Sequence, residues 1–354
     1  MNTATLFYRD KPTFGLDIGF SSLKIMQIDR EKGRNQVVGY GVMPFDSASV
    51  VEGVINHPEN IAKAVKELFN QHLVGDITTD RVVMAAPASR TFTRTFTLPL
   101  IEPKDMPSAI QTETEQYVPV PLEELYTDYR IISKTDKEME VLLVAIPKKI
   151  IDSYLELVKI MGLELVAVET TLNATSRLFV NAEQSDVPSV LIDLGSLSSD
   201  ITIFDKTLIV TGTAPGGGDS FTQAIAQGLG VNKDESNVIK TKYGLGMSKR
   251  QDDVKKALDP ILNQIIKEIR RMIRYYEERS STNQKISQVV TMGGGANMPG
   301  LSELLTDIIR LPVRMCEPWQ HLDFHRIQAP NTVEKSLYVT AAGLALIQPG
   351  EIFT

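Results

Sequence analysis

An α/β protein of two duplicated lobes is predicted from three observations. FGLDIGFSSLKIMQI (Phe14 to Ile28) and VLIDLGSLSSDITIF (Val190 to Phe204) share one plan. Each has apolar strand residues, an Asp, a one-residue gap, a Gly, a Ser-containing turn and a second alternating strand, which makes a β-hairpin. Two Gly-rich turns, Gly216–Gly218 and Gly293–Gly295, each stand between a strand pattern and a helix pattern. The length of 354 residues is too great for one ordinary core and suits two lobes.

Strands are expected near Phe14–Gly19, Leu23–Asp29 and Gln36–Val42, then a helix near Pro58–His72 with Ile61, Val65 and Leu68 at helical spacing. Arg81–Pro87 reads as a buried strand ended by Pro, completing a first-lobe core over 1–87. Residues 88–162 read as an inserted α/β subdomain. Alternation from Phe92 to Leu98 marks a strand, and Pro99, Pro103 and Pro107 bracket a turn. Ser108–Tyr117 reads as a helix, Thr127–Ile132 and Glu138–Ile146 as paired strands, and Lys148–Met161 as a further helix. Leu163–Glu169 resumes the parallel-strand style and Thr170–Val180 is helical, returning the chain to the first lobe over 163–187.

The second lobe repeats the plan across 188–218, where the strand Leu208–Thr213 leads into the Gly-rich turn. A charged helical subdomain covers 219–279, with helical sequence from Lys233 to Arg279. Strand, Gly-rich turn and helix recur in 280–333. The close, 334–354, holds an Ala/Gly-rich helix (SLYVTAAGLAL) whose small residues permit tight helix contact, and it is assigned back to the first lobe.

Composition removes several functions. With 42% hydrophobic and 23% charged residues the chain reads as soluble and globular. A net charge of −7 argues against a general nucleic-acid surface, which needs a basic face. The single cysteine, Cys316, excludes an internal disulfide and a cysteine-based zinc cluster, and is expected to pack beside Met315 and Trp319. No segment is apolar enough for long enough to cross a bilayer, and MNTATLFYRDK lacks the apolar core of a signal peptide. The C-terminal GLALIQPGEIFT carries no basic amphipathic helix. The expected location is cytoplasmic, with any membrane reached through a partner.

Four constellations carry chemistry. In the first hairpin Asp17, Gly19, Ser21, Ser22 and Lys24 supply a carboxylate for a hydrated metal, flexible backbone, hydroxyls and an ammonium for phosphate charge. The second hairpin offers Asp193, Gly195, Ser196, Ser198, Ser199 and Asp200. Each alone is equally an ordinary Asp-stabilised turn; recurrence at corresponding points favours a nucleotide between the lobes. Asp17 and Asp193 facing one cleft repel unless a cation such as Mg²⁺ lies between them or water screens them. Gly216, Gly217 and Gly218 before a helix make an anion site through backbone N–H groups, with Asp219 as cap or competitor. Gly294, Gly295, Asn297 and Met298 leave room for a flat base, or form only a tight turn.

In this order, GLDIGFSSLKIMQI, LIDLGSLSSDITIF, TAPGGGDSFTQAI, MGGGANMPGL and SLYVTAAGLAL resemble the actin, heat-shock-70 and sugar-kinase ATPase superfamily. Within it the chain is similar to the FtsA/PilM branch, most of all to the PilM family of type IV pilus assembly. The likeness covers essentially the whole chain and includes S-S-x-K, G-G-G-D-x-F-T and the helix KEIRRMIRYYEE. The resemblance implies an actin-like ATPase fold of two ribonuclease-H-like lobes, with an FtsA/PilM-type subdomain inserted in the first. It implies ATP and Mg²⁺ as ligands. Asp17, Gly19, Ser21, Ser22 and Lys24 match the first phosphate loop, and Asp193 and Gly195 the second. Gly294, Gly295 and Met298 match the adenosine loop, with Lys240 and Arg271 beside the base. Relatives commonly place Glu near the ribose where this chain has Asn237.

The resemblance further implies a cytoplasmic adaptor that captures the N-terminal cytoplasmic tail of PilN and, through it, meets PilO and PilP. Pilus motor ATPases, the platform protein and further copies of the chain are additional candidate partners. The groove expected for the tail lies between the first lobe's core and its insertion, with Arg94, Glu115, Tyr117, Val118 and Pro119 as candidates. Two other readings compete: a filament-forming division protein of FtsA type, and an ATP-dependent small-molecule kinase or ATPase. The absence of a terminal amphipathic helix counts against the former. Against the latter stand the lack of an inserted sugar-binding segment and of a recognisable catalytic base. ATP is expected to bind, and hydrolysis to be slow or absent.

Overall fold

Three strands open the first lobe: β1 (Phe14–Ile18), β2 (Ser22–Glu31) and β3 (Arg34–Pro44). Tight turns between them leave no room for a crossover, so they pair as an antiparallel meander. The computed structural model describes residues 11–31, 33–183, 187–279 and 284–352. The stretch read for a signal peptide therefore lies, apart from Lys11, outside the described residues. Helix α1 (Pro58–Glu67) buries Ile61, Ala64 and Val65, and β4 (Arg81–Ala86) then pairs parallel to β1. Every residue of β4 is buried, as in a strand covered on both faces.

The inserted segment supplies β5 (Phe92–Pro99), α2 (Met106–Tyr117), β6 (Leu125–Lys134) and β7 (Glu138–Pro147). They form a separate antiparallel sheet in the order β5-β7-β6, whose helix-covered face packs Leu98 and Leu143 against Met106 and Ile110. The helix that follows, α3 (Lys148–Met161), corrects the sequence reading. Expected within the insertion, it instead packs Ile150, Tyr154 and Leu157 into the first-lobe core beside Phe14 and Val82. Polar bonds pin it there: Tyr154 Oη donates to Ala85 O at 3.3 Å, and Ser153 Oγ accepts from Ile55 N at 3.1 Å. Next, β8 (Glu164–Thr170) pairs parallel to β4 and leads into α4 (Thr171–Glu183).

The second lobe begins with β9 (Ser189–Leu194), β10 (Ser198–Asp205) and β11 (Thr207–Pro215), again an antiparallel meander. Helices α5 (Gly218–Leu229), α6 (Lys233–Lys242) and α7 (Gln251–Arg279) follow. The helical run expected from Lys233 to Arg279 is interrupted, because Gly244 takes a left-handed φ of +47° and turns the chain out. β12 (Gln288–Met292) pairs parallel to β9, α8 (Leu301–Ile309) intervenes, and β13 (Val313–Met315) pairs parallel to β12. The run β3-β2-β1-β4-β8 within the seven-stranded first-lobe sheet and the sheet β11-β10-β9-β12-β13 thus have one strand order, the signature of duplication.

A third apolar cluster joins the lobes. It combines Met26 of β2 and Leu191 of β9 with Phe179 of α4 and Ala342 of the last long helix, α9 (Val339–Ala345). Cys316 is buried in this cluster with Trp319. Helices α4 and α9 meet at backbone contact: a Cβ on Gly343 would collide with the Ala174 carbonyl oxygen, and one on Gly15 with that of Ala341. Only glycine permits that approach. No helix among the described residues is long and apolar enough to cross a membrane.

Candidate functional site

Between the lobes the β1–β2 and β9–β10 turns face each other across a cleft of about 300 Å³. The two turns close on the same bond. Gly19 N–H donates to Ser22 O at 3.0 Å, and Gly195 N–H donates to Ser198 O at 3.0 Å. Strand register then sets Asp17 opposite Lys24 and Asp193 opposite Asp200. Lys24 Nζ lies 3.7 Å from Asp17 Oδ2.

Burial raises the pKa of Asp17, against the pull of Lys24. Burial first, then repulsion from Asp200 and Asp17, pushes Asp193 up to about 7. Burial likewise pushes Asp200 up to about 6, although Thr213 Oγ1 donates to it at 2.7 Å. Three carboxylates against one close ammonium is a donor set that a divalent cation would relieve. No three acidic, His or Cys side chains among the described residues converge to cage an ion alone. The set fits Mg²⁺ that keeps much of its water and takes further oxygens from phosphate.

Most predicted residues reach the cleft. Asp17, Gly19, Ser21, Ser22 and Lys24 line one wall, Asp193, Gly195 and Ser196 the other, with Gly218, Lys240, Gly294 and Gly295 beside them. Lys240 Nζ donates to Gly218 O at 2.9 Å and to Thr222 Oγ1 at 2.7 Å, and burial lowers its pKa.

The turn 216–218 has a different task from the one expected. Gly216 N–H donates to Leu197 O at 2.9 Å and Gly218 N–H to Gly195 O at 2.8 Å, so these amides brace the second hairpin rather than await an anion. Gly216 and Gly217 stand behind the cleft wall. A Cβ on Gly217 would strike the Gly195 carbonyl oxygen. Met298 is buried in the second-lobe core, and Asn297 Nδ2 donates to Ser336 Oγ, so both shape the turn that carries Gly294 and Gly295 from outside the lining. Arg271 is also outside: it is half exposed on α7 and paired with Glu268. Asn237 is exposed on α6.

Four hydroxyl-bearing cleft residues escaped the sequence reading: Ser89, Thr171, Ser336 and Thr340. Thr171 opens α4, where its Oγ1 accepts from Ala88 N at 3.2 Å. Their only signal was a hydroxyl near a helix start, which is too common to single them out.

The tail-groove candidates divide. The Arg94 guanidinium lies over the Tyr117 ring, while Glu115 Oε1 accepts from Gln111 Nε2 at 3.2 Å and Pro119 is exposed. Val118 is instead buried with Leu125 and Ala145. Arg94 pairs with Leu143, on the α2-covered face of the inserted sheet. The neighbouring Val144, on the opposite face, packs toward the first-lobe core. The Arg94–Tyr117 stack therefore sits on the outer side of the insertion, not between insertion and core as expected.

Comparison with known proteins follows the same lines. A chain of the "PilM-PilN type IV pilus biogenesis complex" superposes with a TM-score of 0.82 at 22% identity, over 95% of this chain and 98% of that one. MreB5 of Spiroplasma citri bound to ADP superposes with a TM-score of 0.54 at 13% identity, over 95% of each chain. These likenesses give the actin-like ATPase fold. By sequence, the cell division protein FtsA of Bacillus subtilis is 22% identical over 344 residues, 86% of this chain and 78% of that protein. The family model described as "Type IV pilus assembly protein PilM" matches residues 15–348. With that span matched, the chain belongs to the PilM family of type IV pilus assembly proteins.

Proposed function

We propose that this protein is a cytoplasmic, nucleotide-responsive adaptor of type IV pilus assembly that binds ATP with Mg²⁺ and captures the N-terminal cytoplasmic tail of PilN. The observation that carries the ligand reading is the pair of hairpins with one turn bond and carboxylates aimed at one cleft. In this reading Asp17 and Asp193 orient the hydrated ion, while Lys24 and the turn hydroxyls hold phosphate oxygens. Gly294 and Gly295 leave flat space for the base. Mg²⁺ supplies charge neutralisation between the facing carboxylates. Binding is tight or moderate, and hydrolysis is slow at most.

The partner reading rests on family membership and on the fold shared with a chain of a PilM-PilN complex. The tail docks as an extended peptide across the insertion, with Arg94, Tyr117, Glu115 and Pro119 at the contact and main-chain bonds adding affinity. PilN then ties the adaptor to PilO and PilP at the inner membrane, with the pilus motor ATPases and the platform protein as further partners. Differential affinity of the ligand for open and closed lobes would alter tail capture without turnover.

Two measurements test this. Calorimetry with Mg-ATP should give saturable heat that Asp17→Ala abolishes. Pull-down with the PilN tail should fail for Arg94→Glu plus Tyr117→Ala. Phosphate release at ordinary enzymatic rates would overturn the adaptor reading in favour of an ATPase. ATP-dependent sedimentation would favour an FtsA-type filament.

A further inference from the structure

The inserted sheet has two very different edges. β5 lies against β11 of the second lobe, whereas β6 is an outer strand of ten residues whose six successive positions Tyr126–Ile131 are exposed. Three of those six are large and partly apolar: Tyr126 is 45% exposed, Tyr129 38% and Ile131 44%. Among the described residues no strand pairs with this edge, and a long apolar edge whose outward amides and carbonyls lack ladder partners is a template for another strand. Tyr129 shows which way they point. Its N–H donates to the carboxylate of the preceding residue, Asp128 Oδ1, at 2.8 Å, and so is directed along the free edge rather than into β7.

We infer that this edge is a self-pairing surface, on which two copies of the chain join by antiparallel strand addition about a two-fold axis through Tyr129. Charge order selects that occupant. In a symmetric antiparallel pair each residue faces the one equally far on the other side of the axis. Centred on Tyr129, Asp128 faces Arg130 of the second copy and Arg130 faces its Asp128. Thr127 meets Ile131, and the two Tyr129 residues exchange their N–H and C=O bonds as each Asp128 carboxylate turns from its neighbour's N–H to Arg130 of the second copy. Centring on Asp128 would set carboxylate against carboxylate, and centring on Arg130 would set guanidinium against guanidinium. Of these three centres, only Tyr129 gives complementary charges.

The strand's shape agrees. Its pairing with β7 is regular from Leu125 to Ile131 and shifts register beyond it, so the straight ladder available for pairing contains the Tyr129 centre. The result is one continuous six-stranded sheet, β5-β7-β6 followed by β6-β7-β5 of the second copy. An extended peptide would satisfy the same amides but would not require opposite charges on either side of a central aromatic. This pairing goes beyond the adaptor reading and needs no nucleotide.

The test uses the full chain without nucleotide, by sedimentation velocity across a concentration series, with amide hydrogen exchange on the same samples. A monomer–dimer equilibrium is expected, together with protection at Tyr129 and Ile131 that rises with protein concentration. Asp128→Arg and Arg130→Asp should each weaken the dimer by at least about tenfold, since each replaces two attractive cross-strand pairs with two repulsive ones. The double variant, with both changes, should return to within about threefold of the parent. These positions are exposed, and circular dichroism checks that each variant is folded. A mass that stays monomeric at every concentration would overturn the inference, as would a dimer that the double variant fails to recover. Protection of 127–131 that appears only when an extended tail peptide is added would overturn it too, and would assign the edge to a foreign strand.

Discussion

The first hairpin sets Asp17 across from Lys24, whereas the second sets Asp193 across from Asp200. Backbone geometry is the same in both, down to a turn bond of 3.0 Å in each. A duplicated fold has therefore kept its scaffold while inverting the charge of one cross-strand partner. The first wall nearly neutralises itself. The second accumulates carboxylate, and Asp193 is pushed up to about 7 as a result. It is the second wall that gains most from a cation.

A second contrast lies behind the turns. The β9–β10 turn is braced by the amides of Gly216 and Gly218, with Gly217 pressed on the Gly195 carbonyl. Nothing comparable crowds Gly19, where a Cβ would meet Ser22 O at 3.1 Å and Lys24 Nζ at 3.2 Å. Gly217→Val should therefore have the largest effect, a loss of Mg-ATP affinity above about 100-fold and of stability by about 3 kcal/mol, read by calorimetry and urea unfolding. Gly19→Ala should cost only about tenfold in affinity. Equal losses at the two positions would break the comparison.

Removing the first wall's cation comes next. Lys24→Met leaves Asp17 and Asp193 facing each other without it, and Mg-ATP should bind about 30-fold more weakly in the same calorimetric assay.

The second wall yields a pH signature. Asp193 and Asp200 titrate near 7 and near 6 in the folded protein, against 3.8 for an ordinary Asp. Between about pH 4 and 7 the folded state holds more protons than the unfolded one, so these groups make stability fall as pH rises through that window. Asp200→Asn removes one of them and relieves the other. The variant should exceed the parent by about 1–2 kcal/mol at pH 7.5, water in the cleft screening part of the repulsion, and the gap should close toward pH 4. Thermal unfolding across pH without nucleotide reads it. The smallest effect is expected at Arg271→Ala, within about twofold of the parent in Mg-ATP affinity, because that guanidinium is held by Glu268 outside the cleft.

The hairpins were legible because Asp-x-Gly, the Ser-containing turn and the flanking strands are local: pattern, turn and register all lie within 15 consecutive residues. The duplication followed from comparing them. Allegiance was not legible for α3, since an apolar stripe of Ile150, Tyr154 and Leu157 says that the helix is buried but not against what. The engagement of the Gly216 and Gly218 amides was hidden for a related reason. A Gly-rich turn before a helix offers amides, and only the tertiary structure reveals that Leu197 and Gly195 have already taken them. Val118 and Arg271 were resolved by their immediate neighbours, an apolar cluster and an i,i+3 carboxylate. Ser89, Thr171, Ser336 and Thr340 converge from distant segments, and no periodicity marks such convergence.

The contact between Gly15 and α9 places the earliest strand of the fold against its last long helix. During translation, β1 and β4 emerge long before the segment that covers them. Val83 and Ala85 pack with Ala174 of α4 and Leu344 of α9, so their cover is complete only once α9 has been made. A nascent chain paused ahead of α9 should therefore present that apolar face to chaperones, and release from them should coincide with arrival of α9.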